Sequence, residues 1–122
     1  MKLLLTTIAA VLLVGWGESA SELALRNAAR YGNIEAVKQH IAAGTDVNAK
    51  DKRGNTPLDY AVSRKYPEIA ELLIANGADV NAQRADGDTP LDWAIFNKDT
   101  KVADLLRKHG GKTGEELKAA GN

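Results

Sequence analysis

An all-α repeat fold, a short solenoid of helix-turn-helix units joined by tight turn loops, is what this sequence predicts. Two recurrences and one spacing predict it. Thr56-Pro57-Leu58-Asp59 returns as Thr89-Pro90-Leu91-Asp92, and Asp46-Val47-Asn48-Ala49 returns as Asp79-Val80-Asn81-Ala82. Both pairs are offset by 33 residues. A period of that length marks supersecondary units that cannot bury an apolar face alone and must stack on one another. Within the units, apolar residues such as Ile34, Val37 and Ile41 recur at spacings of three and four, the period of a helix with one buried face.

Bulk properties narrow the chemistry. The 122 residues fit one domain. Sixteen basic residues balance sixteen acidic ones, so the chain lacks the basic excess that phosphate neutralisation needs, and nucleic acid is not an expected partner. There is no cysteine, which removes disulfides, thiolate metal sites and thiol nucleophiles.

The chain opens with Met1-Lys2 and then Leu3–Val14, a run of 12 uncharged and mostly apolar residues. That length suits the apolar core of a secretory signal and falls short of the ~20 residues a helix needs to span a bilayer. Residues 1–17 are expected to be a signal peptide, cleaved after Gly17, or an uncleaved leader. Export to the periplasm or the medium follows, with membrane association as the alternative if the leader is retained.

Residues 18–122 are the expected repeat domain, with an N-terminal cap at 19–50, a full repeat at 51–83 and a C-terminal repeat and cap at 84–122. Ser19-x-x-Glu22 reads as a capping box for a helix carrying Leu23, Leu25, Ala28 and Ala29 and closed by Gly32. Asn33 is placed to cap a second helix from Ile34 to Ala43. The next unit repeats the plan. Thr56 caps, Pro57 takes the first helical position where its missing N–H costs nothing, and the helix ends near Arg64. Pro67 and Glu68 start its partner, which runs through Leu72 and Leu73 towards Gly77. Thr89-Pro90 and then Val102, Leu105 and Leu106 form the third pair. Asp51-Lys52-Arg53-Gly54 and Arg84-Ala85-Asp86-Gly87 are glycine-closed turns at matching positions. After Gly110 the period breaks, and Thr113-x-x-Glu116 opens a short helix expected to lie as a lid over the last helix pair.

These motifs resemble the ankyrin repeat. The likeness rests on Gly54-Asn55-Thr56-Pro57-Leu58-Asp59-Tyr60-Ala61, on Ile69-Ala70-Glu71-Leu72-Leu73 and on Asn76-Gly77-Ala78-Asp79-Val80-Asn81-Ala82, with partial copies from Asn33 and from Gly87. It covers about residues 22–112. The resemblance implies a β-turn finger and two antiparallel helices per unit, stacked beside a concave binding surface. Asp59 and Asp92 stand where the family usually has histidine; a carboxylate three residues after a capping threonine is explained by capping. Leu23-Ala24-Leu25 replaces Thr-Pro-Leu, so the first unit is expected to act as a cap. The leader's Leu13-Val14-Gly15-Trp16-Gly17 is similar to the lipobox of bacterial lipoproteins, with Trp16 where the lipid-accepting cysteine belongs. A small exported bacterial member of the family is the implied type.

No catalytic constellation is present, and an enzyme is not expected. His40 and His109 have no second ligand at metal spacing, so neither a metal nor a cofactor is expected. The expected role is non-catalytic binding of a partner protein outside the cytoplasm, by a chain that is monomeric alone; the alternative is a membrane-tethered accessory or structural subunit held by a retained leader. Residues left free by the repeat are the candidates for contact. On the turn tips these are Lys52, Arg53 and Asn55, a basic finger, beside Asp86 and Asp88, an acidic one. On the first helices they are Tyr60, Ser63 and Arg64 with their 33-residue equivalents Trp93, Phe96 and Asn97. Aromatic and arginine side chains are the usual anchors of protein interfaces, although Tyr60 and Trp93 also suit packing between helices.

Overall fold

Every described helix starts behind a side chain that caps it or at a proline. The computed structural model describes residues 19–121, so the expected leader, residues 1–17, lies outside the described residues. Ser19 Oγ accepts from the Glu22 amide at 3.1 Å while the Glu22 carboxylate accepts from the Ser19 amide at 3.3 Å, opening α1 (Ala20–Tyr31). Asn33 caps α2 (Ile34–Ala42) through the Ala36 amide. Thr56 and Asp59 make the reciprocal pair again at α3 (Pro57–Ser63), and Pro67 begins α4 (Pro67–Ala75) with no side-chain cap. Thr89 with Asp92 opens α5 (Pro90–Phe96), Asp99 caps α6 (Thr100–Lys108), and Thr113 with Glu116 opens α7 (Gly114–Ala120). No strand occurs among the described residues.

The helices stack as three antiparallel pairs in two rows. First helices α1, α3 and α5 pack side by side, second helices α2, α4 and α6 form the outer row, and each first helix lies against its own partner. The core follows the period. Leu25, Leu58 and Leu91 are fully buried, and each stands 33 residues from the next. Burying a leucine stabilises by about 1.5–3 kcal/mol, so this ladder is a main contributor to the packing of the row. Ala28, Ala61 and Ala94 run beside it, and their small side chains let neighbouring helices approach closely. Val37, Leu73, Val102 and Leu106 fill the outer row. Leu23 departs from expectation. It is 45% exposed, because two residues turn a helix by about 200° and put it opposite Leu25. Leu72 is likewise only half-buried, since Leu73 takes the inward position.

Backbone clasps repeat with the same period. The amides of Asn33, Tyr66 and Asp99 reach back to the carbonyls of Ala28, Ala61 and Ala94 at 2.9, 2.8 and 2.9 Å. This six-to-one bond needs a left-handed residue just before it. Gly32 supplies it in the first unit with φ 79°, whereas Lys65 and Lys98 supply it in the next two with φ 63° and 56°. Asn48 joins one unit to the next by donating to Gly77 O at 3.0 Å and accepting from the Asp79 amide at 2.7 Å. Asn81 repeats the clasp on Gly110 O and the Lys112 amide at 3.1 and 2.8 Å.

The closing helix is fastened at one end rather than laid across the array. Thr89 Oγ1 donates to Lys112 O at 2.6 Å, and the Gly114 amide donates to Asp92 Oδ2 at 2.8 Å. No residue of α7 is fully buried, while Ile95 and Phe96 on α5 stay 50% and 78% exposed. The expected lid therefore seals the foot of α5 and leaves its apolar end open, since seven residues with Leu117 as their one large apolar side chain cannot cover more.

Candidate functional site

Two fingers project beside the row of first helices. In the first, Asp51 turns the chain: its amide donates to Asn55 O, its carbonyl accepts from the Gly54 amide, and its Oδ1 accepts from Arg53 and Asn55 at 2.9 Å each. Its other oxygen accepts the Tyr60 hydroxyl at 2.5 Å, tying the finger to α3. Burial raises the Asp51 pKa, but the bonds from Tyr60, Asn55 and Arg53 and the charge of Arg26 outweigh it and hold the carboxyl below its ordinary value. Burial and the Asp51 partner push the Tyr60 phenol up. Both residues keep their states across the neutral range.

The second finger repeats the backbone plan with different side chains. Arg84 donates its amide to Asp88 O, and Asp86 accepts from the Asp88 amide at 3.0 Å. The guanidinium of Arg84 lies 4.5 Å from the Trp93 ring centre and pairs with Asp86 at 3.5 Å. Burial and the Asp86 and Asp92 carboxylates raise the Asp88 pKa. The finger tips touch through the Ala85 amide and Arg53 O at 3.3 Å. Gly54 is required there, because a Cβ would meet backbone atoms of Ala85 and Arg84 at 3.0 to 3.3 Å and φ is 82°.

An open groove of about 600 Å³ lies between α1 and the first finger. It gathers Lys52, Arg53, Asn55, Tyr60 and Arg64, all candidates from the sequence. It also takes Arg26, Asn27, Arg30 and Leu23 from α1, and these were not among the candidates. The signal for two of them was available: adding 33 to Asn27 and Arg30 gives Tyr60 and Ser63, so the α1 face is the first helical row continued into the cap. Arg30 lies 5.5 Å from the Tyr31 ring centre and 5.8 Å from that of Tyr60.

The remaining candidates are dispersed. Asp86 and Asp88 line a second groove at the opposite end of the array, with Asp92, Glu115 and Lys118. Ser63 Oγ donates to its own helix at Tyr60 O, and its carbonyl accepts from Asn97 Nδ2 at 3.3 Å, so both residues link α3 to α5. Trp93 is half-buried and meets Phe96 edge-on at 5.8 Å between ring centres. Tyr60 and Trp93 thus hold matching helical positions, but Tyr60 lines the first groove and Trp93 lines neither of the two.

A family model describing ankyrin repeats matches residues 23–116 in three copies. The chain belongs to the ankyrin-repeat family. Its repeats form a protein–protein interaction module, in a family that generally binds rather than catalyses. Among similar proteins, protein phosphatase 1 regulatory subunit 27 of Homo sapiens is 46% identical over 51 residues, which are 42% of this chain and 33% of that protein. Acyl-CoA-binding domain-containing protein 4 of Oryza sativa subsp. japonica is 44% identical over 45 residues, 37% of this chain and 13% of its own length. Neurogenic locus notch homolog protein 2 of Homo sapiens is 40% identical over 57 residues, 47% of this chain and 2% of its own length. The matched stretch is a third or less of each of these relatives. No helix among the described residues is long and apolar enough to cross a membrane.

Proposed function

We propose that this ankyrin array is a non-catalytic adaptor that binds a partner protein outside the cytoplasm, through its finger tips and the row of first helices. The observation that carries the binding reading is Phe96. A phenyl ring 78% exposed on a first helix, edge-on to Trp93 and beside an exposed Ile95, costs solvation that a partner surface would recover. One relative bears the name of a phosphatase regulatory subunit, which agrees with a binding role. Support for export comes from the sequence, where Leu3–Val14 follows Lys2.

A photo-crosslinking amino acid placed at position 96 tests the binding reading. A discrete protein adduct is expected, reduced by Trp93→Ala; absence of any adduct in the native cell would overturn it. Mass spectrometry of the native N-terminus tests export. A mature chain beginning near Glu18 is expected, and an intact Met1 on a soluble cytosolic chain would defeat it.

A further inference from the structure

Resting on the protein-binding reading above, we propose that the groove between α1 and the first finger docks a short acidic segment of the partner protein, held by Arg30, Lys52, Arg53 and Arg64. The four cations line one groove. None of them is in an ion pair among the described residues. The carboxylate on the same wall, Asp51, is already engaged by the Tyr60 hydroxyl and by two backbone amides, so folding has used its oxygens to build the finger. Arg30 is held in place by the faces of Tyr31 and Tyr60, and its Nε has no hydrogen-bond partner. A guanidinium fixed on aromatic faces gives up little freedom when it meets a carboxylate.

The groove's neighbours define what kind of anion fits. The tip of the second finger lies against that of the first and presents Asp86 and Asp88, and the far groove adds Asp92 and Glu115. A uniformly negative polymer or membrane surface running past Arg53 would meet these carboxylates at once. A peptide whose acidic residues are confined to a few positions avoids them. Packed helices lie about 8–10 Å apart and each is about 10–12 Å across with its side chains, so a groove crossing the full width of α1 and α3, roughly 20 Å, accepts about six extended residues at ~3.3 Å each. Leu23, 45% exposed, and the Tyr60 ring give the same groove an apolar wall, so an apolar residue among the acidic ones fits.

Fluorescence anisotropy on the repeat domain with a fluorescein-labelled, glutamate-rich peptide of about six residues containing one leucine tests the assignment. Binding is expected at low salt, weakening as ionic strength rises. Arg53→Glu combined with Arg64→Glu is expected to weaken it at least about tenfold with an unchanged Tm, since both side chains are exposed. Lys38→Glu on the outer row is expected to leave binding unchanged. Equal binding of a lysine-rich peptide overturns the proposal, and so does indifference to the double reversal. Tighter binding of oligothymidylate through the same arginines would assign the groove to nucleic acid and overturn it as well. The position-96 adduct separates the two readings. An adduct that survives the double reversal, with no peptide binding, removes the acidic segment and leaves the adaptor role. Absence of an adduct removes the adaptor role whatever the peptide does.

Discussion

The Tyr60 hydroxyl donates to the Asp51 carboxylate, and 33 residues later the same two positions are Trp93 and Arg84, joined by a guanidinium 4.5 Å from the indole ring centre. One joint between finger and first helix is thus made twice, once by a charge-assisted hydrogen bond and once by a cation–π contact. Tyr60 meets its finger with its hydroxyl and Trp93 with its ring, and each finger's first residue supplies the charge that suits the contact. The two solutions are not interchangeable: tryptophan cannot deliver a hydroxyl, and its Nε1 is buried without a partner.

Removing the hydroxyl alone should loosen the first finger. Tyr60→Phe keeps the ring beside Arg30 and deletes one bond to a charged acceptor in a half-buried setting, for an expected loss of about 1 kcal/mol. Faster amide exchange at Arg53 and Asn55 should accompany it. A double-mutant cycle with Asp51→Asn checks the cause by urea denaturation. Additive losses would show that the bond carries no coupling.

The two aspartates that replace the family's usual histidine behave differently despite identical capping. Asp59 is buried, one of its oxygens has no hydrogen-bond partner, and burial lifts its pKa to about 6 against the bonds from Thr56. Asp92 instead accepts an added bond from the Gly114 amide. The unfolded Asp59 carboxyl loses its proton near 3.8 and the folded one near 6. Between those values the folded chain holds more proton, so this group's contribution is complete below the lower value and is lost as pH rises through the upper one. Asp59→Asn keeps an acceptor for the Thr56 amide and removes the buried charge. It should raise stability at pH 7 by about 1 kcal/mol, within a linkage limit of about 3 kcal/mol, and the gain should vanish by pH 4. Asp92→Asn should lower stability at pH 7. Thermal melts across pH 4 to about 8 decide it; a gain at Asp59 that does not change with pH would remove the burial argument.

Much of this was legible because the signals are local and periodic. Four of the capping side chains, Ser19, Asn33, Thr56 and Thr113, stand in sequence beside the amides they satisfy, and the leucines 25, 58 and 91 keep the repeat offset. The basic groove was only half legible. Lys52 and Arg53 stand on a finger whose free tip the repeat marks out, but Arg26 and Arg30 lie in a first unit that lacks the Thr-Pro-Leu motif. Their convergence on Tyr60 depends on how α1 packs against α3, which no local motif states. Asp59 and Asp92 share one motif, and only the Gly114 amide, 22 residues beyond Asp92, tells them apart.

Left-handed lysines offer a second test of the period. Lys65 and Lys98 hold the conformation that Gly32 holds in the first unit. A side chain in this region costs about 1 kcal/mol or more, which glycine avoids while giving back part as unfolded-state freedom. Lys98→Gly should therefore raise Tm slightly, by the equivalent of up to about 0.5–1 kcal/mol. The reverse exchange is not symmetric. A Cβ on Gly32 would lie 2.8 Å from the Tyr66 ring, so Gly32→Ala adds a clash to the strain and should cost more than Lys98→Gly gains. Equal and opposite shifts in Tm would contradict the Tyr66 contact.

The last joint in the array rests on one asparagine. Asn81 bridges Gly110 O and the Lys112 amide, and Lys112 O in turn accepts from Thr89 Oγ1, so a single chain of bonds runs from the second unit to the foot of α5 and the start of α7. Asn81→Ala leaves two backbone groups without their partner at an exposed site, where water replaces part of the loss, for an expected cost of about 1–2 kcal/mol. Asn48→Ala breaks the same clasp one unit earlier, on Gly77 O and the Asp79 amide. The two should differ in what they release. Both units beside Asn48 continue into buried leucine rows, whereas α7 has no fully buried residue and depends on its hydrogen-bonded end. Amide exchange should therefore show α7 opening locally in Asn81→Ala while α1 to α6 keep their protection, and Asn48→Ala should lower protection throughout the array. Protection of α7 unchanged by Asn81→Ala would mean that Asp92 and Gly114 hold the closing helix without the asparagine.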